Sequence, residues 1–165
     1  MNAIQTMDGA AHRSRKKMFL SIMEPGKIER LDGITKNLWK IHAKEWKNKN
    51  LVLFDETAAI LCKAACIWCG IPVTNSEVRK MARDMSAMVD AFGAVGFRHY
   101  KGRLARIRTE RKMEDIITKV RQGILIAPIG SALHSIAFYK DHEGNMLSPK
   151  DAGIELINII RPVTA

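Results

Sequence analysis

Three groups of residues in this 165-residue chain have the types and spacing to do chemistry. The first centres on Arg161, set in the apolar run AGIELINIIRPVTA. A guanidinium among isoleucines is costly unless an anion meets it. At 100° per residue, Ile154, Ile157, Asn158 and Arg161 share one helical face, while Glu155 points to a different side. Asp151 lies about 15 Å back along the helix axis, too far to pair with it. The counter-charge must come from elsewhere in the fold or from a ligand. An ordinary tertiary carboxylate, or a side chain reaching out to solvent, is the plainer alternative. Pro162 removes the hydrogen bond to the Asn158 carbonyl and predicts a local kink beside the charge.

The second group is His12 and Lys16, which project from one face of a helix at i, i+4. So placed, they could hold a carboxylate pair or a phosphate. The alternative is a solvated basic face, since Arg13, Arg15 and Lys17 crowd the same stretch. The third group is Cys62, Cys66 and Cys69. Thiolates that share one zinc lie within about 4 Å of each other. Cys62 and Cys69 are separated by about 10 Å of helix axis, so the spacing describes a helix face and a structural core. Cys69 also sits at a helix C-terminus, where the dipole opposes thiolate formation.

The elements that must position these groups read as a succession of helices. Asp8 caps a first helix over about residues 9–23, stopped by Glu24-Pro25. Ile28, Leu31, Ile34, Leu38 and Ile41 form the stripe of a second helix, ended at residues 48–50. After a short extended stretch at residues 51–53, Asp55 caps a third helix that runs to Cys69 and closes on Gly70 and Pro72. Thr74 or Asn75 starts a fourth, with Val78, Met81, Met85, Met88 and Val89 on one face. Gly93 and Gly96 break it. A basic fifth helix extends to Gln122, a shorter one spans residues 131–139, and residues 142–145 make a turn. In the last helix Ser148 caps, Pro149 takes the first position and Asp151 favours the positive end. The fold class is mainly α.

A hydrophobic content of 47% is that of a globular chain. Lys63 and Arg161 interrupt the longest apolar runs, and no signal peptide opens the sequence, so a soluble cytoplasmic protein without a membrane span is expected. The net charge of +10 is local. Residues 98–121 carry nine Lys/Arg against three acids, and residues 13–17 carry four basic residues and no acid. Such patches suit an acidic partner. The segment FRHYKGRLARIRTERK offers only His99 and Tyr100 for base stacking and no base-reading motif, so a solvated helix face is expected and nucleic acid is not. A small basic helical binding module is the rival reading.

Three stretches, taken in order, resemble a known family: NAIQTMDGAAHRSRKKMFLSIM, DAFGAVGFRHYKGRLARIR and IELINIIRPVTA. They look like successive segments of the bacterial fatty-acid peroxygenases, heme-thiolate enzymes of the cytochrome P-450 superfamily that use hydrogen peroxide to hydroxylate or decarboxylate long-chain fatty acids. The resemblance runs from the family's B–C region to the start of its long central helix. It implies that residues 1–165 are one incomplete helical segment of a P-450 domain, lacking the N-terminal sheet region and the C-terminal heme-ligand half. It also implies that Arg161 grips the fatty-acid carboxylate, with Pro162 beside it, and that this carboxylate serves as acid and base in peroxide cleavage. By the same resemblance Gln5 lies near the heme, Val89 and Phe92 line the acyl channel, and His12 and Lys16 contact heme propionates. Phe97, Leu104 and Ile107 depart from the expected Pro, Arg and Pro. None of the three cysteines matches the axial ligand, so the isolated chain is expected to bind heme poorly and to be inactive.

Overall fold

Glycine and proline set the helix boundaries, and the hydrophobic stripes decide which helices share a core. The computed structural model describes residue 4 and residues 8–164. Among them are seven α-helices: α1 Gly9–Ile22, α2 Pro25–Glu45, α3 Leu53–Cys69, α4 Asn75–Asp90, α5 Phe97–Arg121, α6 Ala132–Ala137 and α7 Pro149–Thr164. The only strand-like pairing among them is one antiparallel bridge between Lys140 and Met146, flanking the turn at residues 142–145. No described helix is long and apolar enough to cross a membrane.

Most of the helix ends follow their local chemistry. Gly70 takes the left-handed conformation after α3 (φ 79°), and the Ile71 N–H returns to the Cys66 carbonyl at 2.8 Å. Thr74 and Glu77 form a reciprocal capping box at the start of α4. At α7 the Asp151 N–H donates to Ser148 Oγ at 3.0 Å. Two expected caps are different. Asp8 occupies the cap position of α1 without a side-chain bond to the helix. Helix α3 begins at Leu53 with Val52 as its cap, which places Asp55 inside the first turn. There its charge still favours the positive end of the helix.

Helix α7 is the centre of the molecule, packed against α3, α4, α5 and α6. Residues 152–157, 159 and 160 are all buried. A methyl group at Gly153 would lie 2.9 Å from the Glu114 nitrogen, so α5 and α7 meet at backbone distance. Gly102 plays the same part between α5 and α4, where an added Cβ would stand 2.2 Å from the Ala91 Cβ. By contrast, α2 packs chiefly on α3. Its stripe is therefore only partly covered: Leu38 is buried while Ile28 and Ile41 remain exposed.

One ion pair lies inside this core. Arg15 Nη1 reaches Glu155 Oε1 at 2.5 Å, and both side chains are almost fully shielded from solvent. Glu155 also accepts from the Ile4 N–H at 3.1 Å and from Asn158 Nδ2 at 2.8 Å. The Tyr139 ring lies 5.7 Å from the Arg15 guanidinium. Its hydroxyl is 2.7 Å from Ser14 Oγ. Breaking a buried pair from one side strands the other charge, which costs about 3–5 kcal/mol. Glu155→Ala is expected to lower the unfolding free energy by about that amount in urea titration. A double Arg15→Met, Glu155→Leu variant should recover most of it; an unchanged midpoint in the single variant would refute the burial.

The capping box also carries a pH signature. The Thr74 N–H, then the Lys112 ammonium and the Thr74 hydroxyl, hold the Glu77 carboxyl at about 2, below its ordinary value of 4.5. A depressed folded value means that this contribution is complete above pH 4.5 and disappears as the pH falls toward 2. The difference in melting temperature between wild type and Glu77→Gln should therefore shrink across that interval. A difference that stays constant there would contradict the assignment.

Candidate functional site

The turn joining α4 to α5 builds one wall of the site. Gly93 and Gly96 both have positive φ, 70° and 69°, which lets the chain reverse within a few residues. The reversal brings the end of α4 against the first turns of α5, and Gly102 lets the two backbones touch. Because α7 runs antiparallel to α5 from the Gly153 crossing, its C-terminal turn arrives at the same place. A cleft of about 650 Å³ opens between the three elements.

The lining divides cleanly by chemistry. Met88, Ala91 and Phe92 supply apolar surface, His99, Arg103, Arg106 and Arg161 supply cationic or hydrogen-bond-donating groups, and among the described residues no acid lines the cleft. Arg161 is partly buried. Among the described residues its guanidinium finds no ion-pair or hydrogen-bond partner. Desolvation first, then the neighbouring charge of Arg106, pushes its guanidinium below the ordinary value. A partly dry, unmatched cation beside apolar surface is what an anionic ligand with an apolar tail would complement. Helix α7 continues past Pro162 to Thr164, whose hydroxyl donates to the Ile160 carbonyl at 2.9 Å.

The sequence-derived residues fall into three places. Arg161 and Phe92 share the cleft, with Phe92 83% exposed on its rim. Pro162 is exposed next to Arg161, and Val89, on the last turn of α4, is 42% exposed and outside the cleft lining. His12, half-buried, and Lys16, exposed, stand on α1. Neither pairs with a described acid, and α1 is joined to α7 through Arg15 and Glu155 rather than through the cleft. Gln5 lies outside the described residues.

Sequence reasoning did not single out His99, Arg103 and Arg106 as site residues. Their i, i+4, i+7 spacing was visible, but the whole segment read as one solvated face. The structure divides it. Arg108 pairs with Asp84, Lys112 with Glu77 at 2.9 Å and Lys119 with Asp115 at 2.7 Å, so much of the charge is spent within the fold. Phe97 takes the first position of α5, where proline also suits a helix, and is 83% exposed.

The cysteines are all free and lie in the core along α3. Cys66 Sγ is 3.7 Å from Met81 Sδ. Burial pushes the Cys69 thiol up to about 12, and the Cys62 contact together with burial raises Cys66 as well. No cluster of three potential ligands is found among the described residues. Native protein at pH 8 is expected to react with a disulfide reagent at least about 100-fold slower than urea-unfolded protein, which exposes three thiols. Fast reaction of the folded chain would overturn the core placement.

No protein-family model matches the chain. Solved structures do. Cytochrome P450SP alpha (CYP152B1) in complex with (R)-ibuprophen is 33% identical with a TM-score of 0.94, and the match covers 99% of this chain and 40% of that one. A variant of cytochrome P450 OleT in complex with arachidonic acid is 30% identical with a TM-score of 0.93, at the same coverages. The architecture is that of a helical segment of the cytochrome P450 fold. More particularly, the solved structures it resembles are CYP152 fatty-acid peroxygenases, of whose chains it spans about two fifths.

Proposed function

We propose that this chain supplies the carboxylate-gripping helices of a heme-thiolate fatty-acid peroxygenase, which hydroxylates or decarboxylates long-chain fatty acids near the carboxylate with hydrogen peroxide. The observation that carries this reading is Arg161, a cation without an ion-pair partner among the described residues, in a cleft lined by no acid. A fatty acid satisfies both halves of that cleft. Its carboxylate accepts two parallel hydrogen bonds from the guanidinium. Its alkyl chain covers Met88, Ala91 and Phe92, each buried methylene contributing about 0.8 kcal/mol. Phe92 then lines the channel, Val89 stands beside it on the last turn of α4 outside the cleft lining, and Pro162 lies beside the head group. A carboxylate held by Arg161 stays ionised and is free to accept and return one proton.

The chain's residues suit the periphery of a heme and not its iron. His12 and Lys16 are donors without described partners on α1, fitted to propionates, and Gln5 belongs near them in this reading. The three cysteines are packed in the core along α3, away from any open site for a metal. Bound in a complete fold, the heme would supply peroxide activation and oxidation of the substrate carbon. The axial thiolate has to come from polypeptide other than these residues, so the 165-residue chain alone should bind fatty acid without oxidising it.

Titration of the purified chain with a long-chain fatty acid tests the reading. Arg161→Gln is expected to weaken binding about 10–100-fold, the equivalent of about 1.5–3 kcal/mol for hydrogen bonds to a charged group. The fatty alcohol of equal length should bind wild type as weakly as the acid binds the variant. Equal affinity for acid and alcohol would refute the carboxylate grip. With added heme, a Soret band at the thiolate–CO position and peroxide-driven turnover would refute the missing thiolate.

A further inference from the structure

We propose that His99, Arg103 and Arg106 on α5 form a capture station at the mouth of the cleft, where an incoming carboxylate is held before it passes to Arg161. This rests on the fatty-acid reading above and adds a route to it. The three side chains recur at i, i+4 and i+7, so one face of α5 stacks them along the cleft. The station lies on the first three turns of a 25-residue helix whose first turn holds no acidic residue. The helix dipole therefore adds to the positive potential there instead of being neutralised.

Exposure distinguishes the station from the final binding position. Arg103 is exposed, and its guanidinium forms no ion pair or hydrogen bond with any described residue. Arg106 is steadied by Glu110, its Nε donating to Oε1 at 2.6 Å. Arg161, deeper in, is partly dry. An ion pair at an exposed arginine adds little affinity, so the outer cations compete weakly with Arg161 at equilibrium. Their influence falls on the encounter. Cations lining a cleft free of acids focus the field and raise the association rate of an anion, an effect that salt screens. A carboxylate passing along this face moves from wet to dry surroundings with a cation beside it throughout.

Stopped-flow association of a fluorescent long-chain fatty acid with the purified chain, at low and at physiological salt, tests this. The wild-type association rate should fall with salt, and Arg103→Gln should lower it about 3–10-fold at low salt, flatten its salt dependence and leave the dissociation rate within twofold. Arg103→Lys, which keeps the charge, should restore both the rate and the salt slope. The fatty alcohol should show no salt dependence in any variant. If Arg103→Gln associates as fast as wild type with the same salt slope, while Arg161→Gln still weakens binding, the capture station is wrong and the carboxylate grip stands. If wild type binds no fatty acid, both fall together. Matching circular dichroism spectra of the variants tie the rate change to charge; a rate loss in Arg103→Gln that Arg103→Lys shares would count against the proposal.

Discussion

The rotation of one buried helix is the constraint on which the site depends, and a single ion pair sets it. Glu155 must face Arg15, because an unpaired carboxylate at that depth would be prohibitive. Six residues later, Arg161 is turned by about 240° in the same direction around α7. With Glu155 locked toward α1, Arg161 has only the α4–α5 side available. The same carboxylate holds Asn158, which lies between the two on the helix. The energy of that pair is of little consequence for stability when compared with an apolar replacement. Its value is directional, since it allows one azimuth for the helix and no other.

Backbone proximity completes the geometry. Gly153 and Gly102 sit where α5 meets α7 and α4, and a side chain at either would push the helices apart. Close contact at those two crossings keeps the Arg161 guanidinium beside the apolar side chains of Met88, Ala91 and Phe92. The α4–α5 reversal then adds the aromatic rim of Phe92. Charge is distributed with the same economy: acids from α4 neutralise the middle of α5, and the acid-free portion is the part that faces the cleft.

Resemblance to the CYP152 structures places this geometry in a larger context. The chain spans 40% of the solved chains it matches, and the described residues hold, at Arg161, a cation without an ion-pair partner and, at His12 and Lys16, two α1 side chains that pair with no described acid. Burial of all three cysteines along α3 keeps them apart from the cleft that holds Arg161.

Helix order, most helix boundaries and the oddity of Arg161 were legible in the amino-acid sequence, because caps, glycines, prolines and apolar spacing act over a few residues. The cysteine stripe was legible as core for the same reason. Asp55 was misplaced by three residues because an acid favours every position of a first turn, so its presence marks a helix start only approximately. The partner of Glu155 was beyond reach, since Arg15 lies 140 residues away and its charge looked like its basic neighbours'. Likewise, which arginines of α5 are neutralised and which face a cleft depends on α4 and α7 packing beside them. Local rules choose the elements; only the packing of distant helices decides which charges meet each other and which remain for a ligand.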